Sequence, residues 1–156
     1  MYEDHPHLLN LNNINNLRVI VENDVVVSHV GMTIRWSTIL GCTVKIANAG
    51  AIGTQKAFRG QGYATTLCEE AILHAAAEGV DFLRISGERT LYHRLGSRSV
   101  GKDWEFAIPA QNAAAVQRGD VIPSRFKNAD LQAVMRLHEL EPVRQVRPLD
   151  EWRMVI

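Results

Sequence analysis

Apolar and polar positions alternate along the first third of the chain at the period of extended backbone. Leu17–Val21 is a short β-branched run, Glu22-Asn23-Asp24 a turn, and Val25–Ile34 a second strand-like run, so the three predict a hairpin. Arg35–Cys42, which holds Trp36 and Gly41, predicts a turn into a third strand, Thr43–Ile46. Ala47–Thr54 is small and apolar, like a central strand whose face something approaches closely. A strand packed under a helix would also use such residues.

The period then changes. Ala64, Leu67, Cys68, Ala71, Ile72, Ala75 and Ala76 fall on adjoining positions of a helix, with Glu69, Glu70, His74 and Glu78 mostly outward and Gly79 as the stop. Val80–Ser86 reads as a strand ended by Gly87. Strand, helix, strand is a βαβ unit with a right-handed crossover. Glu88–Leu95 predicts a short helix stopped by Gly96, and Trp104–Ile108 an edge strand ending at Pro109.

From Ala110 the pattern differs. Gln111–Gly119 is a polar, Ala-rich linker, and Val121-Ile122-Pro123 a short strand. Asn128 caps a helix through about Leu140, with Leu131, Val134, Met135 and His138 on one side. Pro142 stops it, and Pro148 opens a second helical segment with Trp152, Met154 and Val155. The division expected is a domain over 1–109, a linker over 110–120 and a strand–helix–helix segment over 121–156. Met1–Asn16 reads as loop, with His5 and His7 around Pro6 as an exposed tail rather than a metal site.

Composition narrows the class. At 156 residues this is one domain, or one with an appendage. Lys plus Arg and Asp plus Glu each total 17, so no net charge argues for nucleic acid. Cys42 and Cys68 have no metal-like spacing, which suits a reduced, cytoplasmic compartment and no metal cofactor. No apolar run of about eighteen residues implies a membrane span.

The candidate chemistry lies in Phe58-Arg59-Gly60-Gln61-Gly62-Tyr63-Ala64, which opens the predicted helix. The first N–H groups of a helix lack intrahelical partners and carry the positive end of its dipole. Such an end binds phosphate when no side chain blocks it. Gly60 and Gly62 remove two side chains there, and Arg59 adds a permanent charge. A dinucleotide fingerprint is only partial, because Thr65 occupies its last position, and no G-x-x-x-x-G-K-[ST] phosphate loop is present.

Arg59-Gly60-Gln61-Gly62-Tyr63-Ala64 resembles the Q/R-x-x-G-x-G/A signature of the GNAT acyltransferases, with Arg59, Gly62 and Ala64 at its three defined positions. Leu91-Tyr92-His93-Arg94-Leu95-Gly96 resembles that family's tyrosine-bearing segment, although Ser97 stands where an apolar aromatic often follows. The resemblance covers roughly residues 17–109. It implies an α/β (α+β) GNAT-like acyl-CoA N-acyltransferase fold: a mixed central sheet with two splayed parallel strands and flanking helices. It implies acetyl-CoA as cosubstrate, with pantetheine along Ile52, Gly53 and Thr54 and pyrophosphate on Arg59, Gly60, Gln61, Gly62, Tyr63, Ala64 and Thr65.

By the same resemblance, Tyr92 is the general acid, and the activity is acetyl transfer to a primary amine of a small molecule or peptide by direct attack in a ternary complex. No carboxylate occurs from Lys45 to Phe58, where the family often keeps its base. Glu88 and His29 are the remaining candidates. Glu88 reads equally as a partner for Arg89 or Arg94, and His29 as a packed histidine. A non-catalytic CoA-binding module is the alternative. The family's opening strand and two helices are missing before Leu17, while 121–156 resembles the start of a second such domain. The chain therefore reads as a piece of a longer protein, or as one whose tail fills the missing slot, in its own chain or exchanged within a homodimer.

Overall fold

A computed structural model describes residues 5, 7–100, 105, 107, 109–115, 119, 122 and 124–155. Strands β1 (Leu17–Glu22) and β2 (Val25–Ile39) form an antiparallel hairpin. Its turn, Asn23-Asp24, has φ of 49° and 60°. This two-residue turn with both φ positive matches the natural twist of paired strands. A second such turn, Leu40-Gly41 with φ 49° and 86°, leads into β3 (Cys42–Thr54). The chain thus corrects three expectations. β2 runs on through Trp36 to Ile39, the turn shrinks to two residues, and the strands expected at 43–46 and 47–54 are one. The tight turn keeps Ile39 opposite Cys42, and pairing then propagates in register back to Gly31 opposite Gly50.

Helix α1 (Tyr63–Ala77) crosses over to β4 (Phe82–Ile85), which pairs parallel with β3. The crossover packs tightly because α1 turns Leu67, Cys68, Ala71 and Ala75 onto the sheet, and three of those four are small. Val30, Leu67, Cys68 and Ala71 form one core cluster, and Met32, Ala47 and Ala75 a second. The sheet order is β1-β2-β3-β4, and α2 (Thr90–Arg94) follows β4.

The opposite face of the sheet is covered differently. Gly31 and Gly50 sit side by side and leave a hollow. Leu8 fills it, its Cδ2 lying 2.9 Å from where a Cβ on Gly31 would be and 3.7 Å from one on Gly50. Asn13 is buried, and its Nδ2 donates to Leu8 O at 2.7 Å and Met32 O at 2.9 Å. Leu8 and Asn13 thus anchor the described part of the N-terminal segment, while His5 and His7 are exposed as expected. His74, expected on a solvated face, pairs its Nε2 with Asn16 Oδ1 at 2.9 Å.

The C-terminal segment returns to β2. Helix α3 (Leu131–Glu139) is preceded by a single 3-10 turn, Asn128–Asp130, and α4 (Leu149–Val155) ends it. Between them Val143–Gln145 forms β5, antiparallel to Ser37–Ile39. Of the strand expected at 121–123, Ile122 has no regular structure, and the rest lies outside the described residues. Pairing needs an open edge, and Ser37–Ile39 of β2 offers one beyond the end of β1. Arg35 Nη2 lies 2.7 Å from Glu151, and Trp152 is buried, with His138 edge-on to its ring at 5.0 Å. Of the edge strand expected at 104–108, Glu105 and Ala107 are irregular and the rest lie outside the described residues. Among the described residues no helix is long and apolar enough to cross a membrane.

Candidate active site

Pairing between β3 and β4 ends at Ala49 opposite Ile85, yet β3 continues to Thr54. The two parallel strands therefore part there. Across the hairpin, His29 pairs with Gly53 and Gly31 with Gly50, so β3 carries one extra residue between them. Ala51 takes a φ of 47° within this bulge. A bulge leaves one residue unpaired and bends its strand. The far end of β3 is held by β2. Ser28, fully buried, donates from Oγ to Gly53 O at 3.1 Å, and its Oγ lies 2.9 Å from Thr54 Oγ1.

A cavity of about 700 Å³ opens between the end of β3, the N-terminus of α1 and α2. Its walls include Ile52, Gly53, Thr54, Arg59, Gly60, Gly62, Tyr63, Ala64 and Thr65. Of the binding residues expected there, only Gln61 is not part of the lining. Gly62 caps α1 in the left-handed region at φ 83°, with no side-chain cap and no acidic residue in the first turn. The leading N–H groups of α1 thus face the cavity without an internal anion. Gly60 shares the φ of 83°, and a Cβ on either glycine would meet nothing within 4 Å. Backbone conformation, and the open approach beyond it, makes both positions glycine.

Arg59 donates from Nε to Thr54 O at 3.2 Å, which ties the turn to the strand end. Tyr63 donates its hydroxyl to Glu22, and this bond raises the phenol above its ordinary pKa. Four further wall residues were given no binding role from the sequence: Phe58, Arg89, Leu91 and Arg94. The arginines bracket α2 and face α1 across the cavity. The sequence pairs them with Glu88, but no ion pair with Glu88 forms among the described residues.

A second cavity of about 270 Å³ lies where the strands part. It is lined by Ala49–Ile52, Ile85–Gly87, Arg89 and Tyr92, and it shares Ile52 and Arg89 with the first. Tyr92 is buried, with its ring edge 3.7 Å from the Cβ position of Gly87. Glu88 is exposed and lines neither cavity. The link from Gly87, at φ 105°, into α2 carries Tyr92 to the cleft and leaves Glu88 at the surface. His29 lies on the sheet face opposite α1, its Nε2 3.0 Å from where a Cβ on Gly53 would stand. Cys68 is a core residue whose thiol burial pushes up in pKa, away from the thiolate a nucleophile needs.

The chain matches the family model described as an acetyltransferase (GNAT) domain over residues 3–98, and it belongs to that family. This makes it an enzyme of the N-acetyltransferase class. The family's general chemistry is acetyl transfer from acetyl-CoA to amines. Similar solved structures agree in fold. Glucosamine-6-phosphate N-acetyltransferase of Arabidopsis thaliana matches at TM-score 0.51 and 14% identity, over 60% of this chain and 66% of its own. A predicted acetyltransferase of Clostridium acetobutylicum, solved with acetyl-CoA, matches at TM-score 0.51 and 17% identity, over 60% and 65%. An acetyltransferase of Trypanosoma brucei matches at TM-score 0.51 and 13% identity, over 59% and 68%. No curated protein matches the chain.

Proposed function

We propose that the chain moves the acetyl group of acetyl-CoA onto a primary amine by direct attack within a ternary complex. One observation carries this reading: a cavity at an uncapped, glycine-opened helix N-terminus runs into a cleft made by a bulge between two parting parallel strands. The first turn of α1 and Arg59 hold the pyrophosphate, with Arg89 and Arg94 as further cations on the facing wall. Beyond Ala49, β3 has backbone groups that β4 does not pair, and these hydrogen-bond the pantetheine amides as an added strand would.

The thioester carbonyl then lies at the bulge, where a backbone N–H stabilises the developing oxyanion. The amine nitrogen attacks the carbonyl carbon, the C–N bond forms and the C–S bond breaks. Tyr92 gives its proton to the leaving thiolate. The amine enters from the sheet face bearing His29, and its proton leaves through water to that imidazole; the surface position of Glu88 makes it the weaker base. Leu8 and Gly50 bound this approach. Acceptor choice therefore depends on the N-terminal segment.

The absence of any carboxylate from the described lining of both cavities favours a second reading, a CoA-binding module without turnover. Acetyl-CoA turnover against a panel of small primary amines, followed by release of free thiol, separates the two. Amine-dependent thiol release supports the enzyme. CoA binding with no release for any amine supports the module.

A further inference from the structure

The cleft does not end at Tyr92. A third cavity, about 240 Å³, continues from it beneath α1 and shares Ala49, Ile85 and Tyr92 with it. The three cavities thus adjoin in series: the opening at the N-terminus of α1, the cleft at the bulge, and the apolar space under α1. Cys68 and Ala71 of α1, Leu83 of β4 and Leu95 wall the third, and among the described residues no charged side chain lines it. A thioester carbonyl held at the bulge, with its CoA in the first cavity, would have its alkyl side directed along this series.

An acetyl group ends in one methyl, which needs far less room. An apolar cavity of roughly 150 Å³ already accepts a benzene molecule. We propose that the third cavity receives the hydrocarbon chain of a longer thioester, a straight acyl group of about four to six carbons, so that the enzyme transfers such acyl groups as well as acetyl. This rests on the CoA reading above. The reaction is unchanged in its balance: the amine nitrogen takes the acyl carbon, the sulfur leaves with its electron pair and gains the Tyr92 proton, and the amine's surplus proton leaves through water to His29.

The preference follows from the walls. Each methylene moved from water into an apolar pocket is worth about fourfold in affinity. A carboxylate at the chain end would lose its hydration with no cation among the described wall residues to meet it. Small side chains keep the space open, since Ala49, Cys68, Ala71, Gly96 and Ser97 all border it.

The test is calorimetric titration of the full chain with acetyl-, butyryl-, hexanoyl- and succinyl-CoA. Hexanoyl-CoA is expected to bind at least tenfold tighter than acetyl-CoA, and succinyl-CoA no tighter than acetyl-CoA. Ala71→Leu, which fills the cavity from the helix, and Ser97→Leu, which narrows its exposed rim, are expected to erase the gain for hexanoyl-CoA. The wild-type series decides alone if a variant does not fold. Equal or falling affinity from acetyl to hexanoyl overturns this inference and leaves the CoA site standing. If no thioester binds, the CoA reading falls and this one with it.

Discussion

The β3–α1–β4 unit and the C-terminal segment both add a strand and helices to the same sheet, but they attach by different physics. α1 is held by four buried side chains in two contiguous core clusters. Among the described residues the tail is held by three residues of strand pairing, backbone bonds from Leu40 to Pro142 and from Val146 to Trp36, one ion pair and one buried tryptophan. The first attachment is local and mostly apolar, and every candidate site residue lies on or beside it. The second is remote and largely polar. A site that must hold its geometry sits on the part fixed by close packing, while the tail closes an exposed edge.

Removing residues 120–156 tests that contrast most severely. It uncovers Trp152's seat and the Ser37–Ile39 edge, and an unpaired edge is a template for association. Self-association of 1–119 on size-exclusion chromatography is the expected outcome. A monomeric 1–119 that melts cooperatively would show the tail to be a detached appendage.

Gly62→Asp acts on the packed unit. It sets a carboxylate at the N-terminus of α1, where the pyrophosphate is proposed to bind, and puts a side chain on a backbone at φ 83°. CoA affinity should fall at least about tenfold, or about 1.4 kcal/mol. Unchanged affinity in a folded variant would remove the phosphate from this helix end and with it the functional half of the contrast.

Tyr92→Phe is a finer probe, because the ring stays and only the hydroxyl goes. The expected loss in kcat is about tenfold, below the usual general-acid effect of roughly a hundredfold because thiolate leaves easily. CoA affinity should hold. If kcat stays within about a factor of two, the buried ring is structural and the acid lies elsewhere.

Glu151→Gln is expected to be the smallest change. The Arg35–Glu151 pair is partly exposed, at 21% and 18%, so its loss should cost about 0.5–1 kcal/mol and a few degrees of melting temperature. A drop as large as that of a core truncation would mean that the tail belongs to the core, and the contrast would dissolve.

The same division explains what could be read in advance. The helical period from Ala64 to Ala76, the glycine-opened turn and the crossover were legible because they are short-range patterns. The single strand Cys42–Thr54 was hidden because Gly41 and the small residues around Gly50 look like breaks, whereas one tight turn keeps the register. The bulge at Ala51 has no residue signature, since alanine rarely takes positive φ. Arg89 and Arg94 were read as partners of their neighbour because nothing in a local window reports that α2 faces α1 across a cavity. The place of Val143–Gln145 was invisible for the plainest reason: its partner strand is near the other end of the chain.

That distance has a kinetic consequence. Arg35 and Glu151 are 116 residues apart, so the tail's contacts close a long loop. Loop closure costs entropy before any contact repays it, and topologies rich in remote pairs fold slowly. During synthesis β2 emerges early and waits with Ser37–Ile39 unpaired until Val143–Gln145 arrives. The packed unit can assemble in that interval from residues already made. The late strand then acts as a latch, and a ribosome-bound chain stopped before it is the species most prone to stick to its neighbours.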